Sequence, residues 1–594
     1  MENPLETAGL SWLFKVSSTR ARPDPDACPT RLRALVQPPI GPPRAHVSGA
    51  PGTQHPVPLE DFGFGPLFAA LDLWEHKRWH PGRVVEELRQ TRGAFRGRRA
   101  PAHPSLMAWT VQAFERYVAA RAREQRTALA AGLPLTAAVE LDWTVRTARW
   151  EQPDSRGARQ YEHRTWGRQY ASADGTVRDL WIPSFGRAKT DRPAAEKAAI
   201  AQVVAEGMPA PRRRRRMPPP ATPLRNPTPP ELVRVFDFGC ADGSVTPLLD
   251  WGPDAVRALF SRDAAPAFIA AATGTGVRPG ADCVGCETIA HCAAPPRTPQ
   301  LWGPPRAAPP PRPRRRSVSA WDLRLHGECP AQYHLVRHLR LNDLTPESEG
   351  ARRGRVVDAV LNARHTRPLP GSCRELPPAY ASVLPPAQPL EQGPARSALR
   401  MLDEHRALCP LDGLEPSERV LTQHRVTAYI PELDVVVLAV PDLLHTRRGR
   451  WIWRETKTAA APLWEGRPLL RQFPQLALAV LLFDKRAVGD GPRRGRIELE
   501  HLREGAGESR LEAVDPGRPA TVAEAREVIA DLAEPLLRDT AYEPRTGRHC
   551  HSCQVRTWCG PGTAHIRDTT DTAPAADPPP DPVRDPAPVR KDVA

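Results

Sequence analysis

The feature that most restricts this chain is a repeated cysteine pattern. "VRPGADCVGCETIAHC" places Cys283, Cys286 and Cys292 at C-x2-C-x5-C spacing, and "EPRTGRHCHSCQVRTWC" places Cys550, Cys553 and Cys559 at the same spacing. Far upstream of each triplet stands a Cys-Pro pair: Cys28 in "DACPTRLRALVQPP" and Cys329 in "GECPAQYHLVRHLRLN". The segments just before the triplets also match. One reads "VRVFDFGCADGSVTPL" then "DAVRALFSRDAAPAFIAAA"; the other reads "RIELEHLREGAGESRLEAV" then "VAEAREVIADLAEPLL". Each pair predicts a hairpin with a glycine-containing turn, followed by an amphipathic helix. Two such matched layouts predict an internal duplication.

The length allows it, because 594 residues exceed what one core can organise. Proline-rich composition marks the joints. Residues 208–230 surround the block Arg212–Arg216, residues 294–316 form a second Pro/Arg stretch, and the tail over 566–594 is expected to be disordered. The predicted domains are therefore 1–293 and 317–562, with 294–316 as linker. No run of 18 apolar residues suits a membrane span, and the N-terminus has early acids and no adequate apolar core for a signal peptide. A cytoplasmic location away from membranes is expected. There, eleven cysteines argue for metal or cluster ligation rather than disulfides. The net charge of +15 suits a polyanion partner, and equally an arginine-biased composition. No G-x-x-x-x-G-K-[ST] loop is present, so any helicase or motor would be a separate subunit.

Only seven of the 83 Lys and Arg residues are lysines, and one stands in "PDLLHTRRGRWIWRETKTAA". "VVVLAV" before it suits a buried strand, "TRRG" a turn, and the alternation in "RWIWRETK" puts Trp451, Trp453, Glu455 and Lys457 on one face. Asp442, at the end of the preceding strand, can meet Glu455 and Lys457 across the hairpin. Two carboxylates this close call for a cation, and Mg²⁺ or Mn²⁺ binds through a few oxygens plus water and substrate phosphate. A lysine can orient or deprotonate the attacking water, whereas arginine is planar and stays protonated.

Pro441-Asp442 followed by Glu455-Thr456-Lys457 resembles the PD-(D/E)xK nuclease superfamily. The upstream cysteine and downstream triplet resemble its RecB-like, AddB-like iron–sulfur subset, over roughly 317–562. The resemblance implies an α/β fold of two tandem restriction-endonuclease-like domains, each a central mixed sheet flanked by helices, with the first degenerate. It implies a metal-dependent nuclease acting on DNA, with Asp442, Glu455 and Lys457 catalytic. It also implies a [4Fe–4S] cluster on Cys329, Cys550, Cys553 and Cys559, a ligand set that suits Zn²⁺ as well. The family's G-x-x-x-H appears as Gly354 and Asp358, which makes Asp358 a third metal ligand or an ordinary helix-surface acid. Its Q-x-x-x-Y appears as Gln475 followed by Ala479, with Gln472 as a substitute for Gln475.

The first half shows no E-x-K. Asp174 and Asp179 lie near strands, with Trp181 two residues beyond Asp179, and Glu140 and Asp142 have no lysine partner. That half is expected to be a DNA-binding platform with a second cluster on Cys28, Cys283, Cys286 and Cys292, Cys240 being a rival for Cys28. Cys373 and Cys409 have no partners by spacing and are expected to be free. The alternative for the whole chain is a nucleic-acid-binding or scaffolding protein built from inactive nuclease folds with Zn or Fe–S sites. Whether the role is DNA repair or phage defence is left open.

Overall fold

The structure is a computed structural model. It describes residues 12–22, 24–36, 59–90, 101–147, 159–210, 229–306, 310, 314–341, 347–366, 371–375, 390–489, 495–505 and 507–571. The first half holds strands β1 (Trp12–Ser17), β2 (Thr136–Ala138), β3 (Trp143–Thr147), β4 (Arg159–Arg164), β5 (Arg168–Ser172), β6 (Val177–Ser184), β7 (Met208–Pro209), β8 (Leu232–Gly239) and β9 (Val245–Trp251). Its helices are α1 (Pro29–Val36), α2 (Gly65–Glu75), α3 (Pro81–Gln90), α4 (Pro104–Ala130), α5 (Ala194–Glu206), α6 (Pro253–Leu259) and α7 (Ala265–Thr273). The second half holds β10 (Arg316–Val318), β11 (Val420–Thr422), β12 (Val426–Ile430), β13 (Val435–Ala439), β14 (Leu443–Arg447), β15 (Arg450–Thr458), β16 (Gly495–Leu502) and β17 (Arg510–Val514). Its helices are α8 (Ala320–Glu328), α9 (Pro330–Gln332), α10 (Glu349–His365), α11 (Gln392–Leu408), α12 (Leu469–Gln472), α13 (Pro474–Asp484), α14 (Pro519–Arg538) and α15 (Gly560–Asp571).

The two halves repeat one topology. Each has a five-stranded mixed sheet, ordered β2-β5-β6-β8-β9 in the first and β11-β14-β15-β16-β17 in the second. In both, the third and fourth strands of that order run parallel and the other neighbours antiparallel. Each half also has a smaller sheet in which its first strand, β1 or β10, pairs parallel with one arm of an antiparallel hairpin. The parallel step needs a crossover, and a helix supplies it, α5 or α12–α13. These are the two tandem mixed α/β domains that the duplication predicts.

The core follows from the sequence. Every residue of β6 is buried, as expected of a strand covered on both faces. In α13, Leu476 through Phe483 are all buried, so the helix is apolar all round and sits inside the second-half core. A third core joins the halves. Phe64, Trp109 and Phe114 of the first half pack with Leu335, Val555 and Trp558 of the second.

The joints depart from expectation. Within 294–316, Leu301 and Trp302 are buried in the second-half core, and Thr298 N donates to Tyr429 O at 2.9 Å. Residues 294–306 are an anchored strap rather than a loose spacer: two large apolar side chains fix a stretch that turns at Gln300–Gly303. Met208–Pro209, the start of the predicted insert, pairs with β3. Arg212–Arg216 lies outside the described residues. Helix α15 occupies residues 566–571 of the predicted tail, and the remainder lies outside the described residues.

Candidate active site and cysteine centres

Strands β14 and β15 form the hairpin read from the sequence, pairing from Leu443↔Arg454 to Arg447↔Arg450. Asp442 sits just before β14, where its Oδ2 accepts the Thr456 amide at 2.7 Å. That bond ties the start of one strand to the middle of the E-T-K triplet. Trp453 Nε1 donates to Glu455 Oε1 at 2.8 Å, and Lys457 Nζ donates to Glu455 Oε2 at 3.4 Å. Lys457 Nζ is 4.0 Å from Asp442 Oδ2. The tryptophan was read only as a member of the shared face; it also fixes the Glu455 carboxylate.

Asp358 joins this group from α10. Gln423 Nε2 donates to Asp358 Oδ1 at 3.3 Å and to Asp442 Oδ1 at 3.2 Å, bridging the two carboxylates. Asn362 Nδ2 donates to Asp358 Oδ2 at 2.9 Å. Burial, and then the Asp442 charge, raise the Asp358 carboxyl to about 7, while Lys457 and Asn362 act in the opposite direction. Gly354, one turn earlier, permits the approach: a Cβ there would lie 2.9 Å from Thr458 Oγ1. A larger residue at this position would require the Thr458 hydroxyl of β15 to shift. Gln423 itself sits at φ 47°, and nothing in its local sequence marks it as a clamp.

Gln475 lies in the first turn of α13, with its Nε2 buried and without a hydrogen-bond partner among the described residues. Gln472 Nε2 is committed to the Trp464 and Arg467 carbonyls at 2.7 and 2.6 Å. Ala479 is fully buried in the second-half core, so a polar side chain in its place would lose its hydration.

Strand register gives the first-half counterparts. Leu443↔Arg454 matches Arg168↔Trp181, and Lys457↔His501 matches Ser184↔Gly239. Gly167, Ile182 and Ser184 thus occupy the positions of Asp442, Glu455 and Lys457. The acids nearby serve structure. Asp174 caps its own turn through Ser172 and Thr176, and Asp179 is buried against Arg234 at 2.8 and 2.9 Å.

Cys329, Cys550, Cys553 and Cys559 line one pocket. The Arg545 amide donates to Cys329 Sγ at 3.4 Å, and a Cβ at Gly562 would lie 3.3 Å from Cys559 Sγ. Burial, then its three cysteine neighbours, raise the Cys553 thiol to about 12. In the first half Cys28, Cys286 and Cys292 surround Cys283, whose thiol is likewise raised by burial. The Cys28 amide donates to Asp282 Oδ2 at 2.8 Å. Cys240 lies elsewhere, fully buried in the core that joins the halves, its amide bonded to Ser184 O at 2.9 Å.

The structure corrects the reading of Cys373 and Cys409 as free. His365, Cys373, His405 and Cys409 are all buried, and their donor atoms lie within 4.8 Å of one another. The irregular separation of the two halves of this set hid it. The signal that could have revealed it is His405-x3-Cys409, one helical turn on α11.

No curated protein matches the chain. A solved structure titled "Crystal structure of SSO0001" is 14% identical over 41% of this chain and 86% of that one; at its TM-score of 0.21 the likeness carries no argument about the fold. Among the described residues no helix is long and apolar enough to cross a membrane. Residues 317–560, which contain the whole of the Asp358, Asp442, Glu455 and Lys457 constellation, match the family model of the PD-(D/E)XK nuclease superfamily.

Proposed function

We propose that the second half is a RecB-like, metal-dependent deoxyribonuclease and that the first half is a catalytically silent platform for the nucleic acid. One observation carries the reading: Gln423 bridges Asp358 on α10 to Asp442 just before β14, and Lys457 on β15 lies 3.4 Å from Glu455 and 4.0 Å from Asp442. Three acids against one lysine leave a deficit that a divalent cation would fill, and the Asp358 carboxyl is raised first by burial and then by the Asp442 charge. Asp358, Asp442 and Glu455 would hold Mg²⁺ or Mn²⁺, which lowers the pKa of bound water and stabilises charge developing on the phosphate. Lys457 orients the attacking water and offers its proton donors to the phosphate oxygens. Trp453 and the Thr456 amide hold the two carboxylates in fixed rotamers, so the site is built before substrate arrives. Gly167, Ile182 and Ser184 leave the first half without this machinery. The net charge of +15 favours a polyanionic substrate.

Each quartet gathers four thiols at one place, and we assign a [4Fe–4S] cluster to Cys329, Cys550, Cys553 and Cys559 and a second to Cys28, Cys283, Cys286 and Cys292. The decisive experiment is cleavage of labelled linear and circular DNA, single- and double-stranded, beside RNA, with Mg²⁺, Mn²⁺ or EDTA. Metal-dependent DNA cleavage lost in Asp442→Asn is expected. Cleavage unchanged by that substitution, or none with any substrate, refutes the enzyme. Anaerobically purified protein should contain iron and acid-labile sulfide; a preparation with zinc alone refutes the clusters.

A further inference from the structure

We infer that His365, Cys373, His405 and Cys409 form a mononuclear, structural zinc site separate from both the nuclease centre and the cysteine quartets. His365 ends α10, Cys373 begins a short 3₁₀ turn, and His405 and Cys409 close α11. Cys373 Sγ and His365 Nε2 are 3.4 Å apart, and the Cys373 amide lies 3.3 Å from Cys409 Sγ. In a tetrahedral site with bonds of about 2.0–2.3 Å, adjacent donors stand about 3.3–3.8 Å apart, so small side-chain adjustments close this set on one ion. A Rieske-type [2Fe–2S] cluster also uses two histidines and two cysteines, but on different irons. Here a histidine and a cysteine are immediate neighbours and all four donors are mutually close, which fits one ion.

A second observation points to a ligand. His405 is 1% exposed, and among the described residues its Nε2 makes no hydrogen bond of normal geometry, although the Cys409 side chain lies beside the ring. Its other nitrogen, Nδ1, is 2.6 Å from Glu500 Oε1. A carboxylate on one ring nitrogen fixes the tautomer that frees the other for a metal, the arrangement found around ligating histidines. Leu411 and Leu443 close the site with apolar surface. Buried His445 on β14 lies alongside and is the rival ligand.

The site reaches the active centre through two covalent neighbours. Glu500 Oε2 accepts from Thr456 Oγ1 at 3.0 Å, between Glu455 and Lys457. Asp358 lies two turns before His365 on α10. The zinc thus pins both the helix that carries one acid and the strand that carries the rest.

The test uses the full chain purified anaerobically. Metal analysis should give one zinc per chain in addition to iron. Zinc-edge X-ray absorption of the wild type should show two sulfurs at about 2.3 Å and two nitrogens at about 2.0–2.1 Å. Cys409→Ser and His405→Ala should lose zinc and keep iron, His445→Ala should keep both, and Glu500→Gln should weaken zinc binding about 10–100-fold. Folded wild-type protein without zinc, an all-sulfur shell, a Rieske-type electron paramagnetic resonance signal, or a Cys373–Cys409 disulfide would each overturn the assignment. The wild-type spectrum decides the matter even where a variant fails to fold.

Discussion

Lys457→Met separates chemistry from site construction, because it should move catalysis and metal affinity in opposite directions. The ammonium lies 3.4 Å from Glu455 Oε2 and 4.0 Å from Asp442 Oδ2, and its side chain is only 8% exposed. Unit charges about 4 Å apart interact by about 4 kcal/mol at an effective dielectric of about 20. An ion held by those carboxylates is held beside that ammonium and repelled by it. Even a quarter of the quoted energy, about 1 kcal/mol, is about a fivefold change in affinity. Methionine keeps the length and apolar stem while removing the charge. Mn²⁺ should therefore bind about fivefold more tightly or better, while kcat falls about 10²–10⁴-fold, the range of a positioned proton-transfer group. Calorimetric Mn²⁺ titration measures the first quantity and single-turnover cleavage of labelled DNA the second. Activity within tenfold of wild type would remove Lys457 from the chemistry. Loss of activity together with loss of Mn²⁺ affinity would show that the lysine only builds the site.

The remaining predictions concern the acids and the joint between the halves. Asp442→Asn and Glu455→Gln should lose Mn²⁺ affinity and activity together, with only partial rescue by excess Mn²⁺ in cleavage assays. Asp358, raised to about 7 chiefly by burial, is protonated below that pH in the metal-free site. Metal binding should then release a proton at pH 6 but not at pH 8, and affinity should fall about tenfold per unit below 7; calorimetry in buffers of different ionisation enthalpy reads this, and Asp358→Asn should abolish it. The same sign makes the metal-free fold lose stability as pH rises from about 4 to about 7, which chemical denaturation in EDTA can follow. Trp558→Ala should cost about 3–5 kcal/mol in denaturant melts, because Trp558 is buried against the first half and bonds Gln112. Residues 314–571 expressed alone should aggregate for the same reason.

What could be read from the sequence was whatever depends on local spacing. The hairpin of β14 and β15, the E-T-K face and both cysteine triplets follow from alternation, turn residues and fixed intervals, and the duplicated layout exposed the common topology. Side chains that act across elements were hidden. Gln423 clamps two acids from a residue of left-handed backbone. The Glu500 link from His405 to Thr456 joins positions that only the sheet brings together. The strap at 294–306 departs from the proline-based expectation of looseness because a single Leu-Trp pair is enough to anchor a proline-rich segment. Gly354 shows the opposite case, since its meaning was tied to the acid four residues on and its packing reason is visible only against Thr458.

The two halves are tied together at their cysteine centres. Each cysteine centre is seated on the opposite half. Cys283 and Ile289 pack on Tyr429 and Val436 of the second-half hairpin, and Arg315 donates to the carbonyls of Cys283, Val284 and Cys286 at 3.2, 3.2 and 2.7 Å. In exchange, Cys329, Cys553 and Trp558 pack among the residues of α2 and α4. The first half pairs its own buried acids with arginines. Arg192 holds both Asp237 and Glu196, and Arg22 holds Glu196 again. Removing one partner of such a buried network would strand a charge, at a cost of about 3–5 kcal/mol. The first half thus balances Asp237 and Glu196 with its own arginines, while its cysteine loop packs on the β12–β13 hairpin of the second half. Damage to Cys283 or Cys286 should therefore reach the nuclease through β12 and β13, even though neither residue lies near Lys457 in the chain.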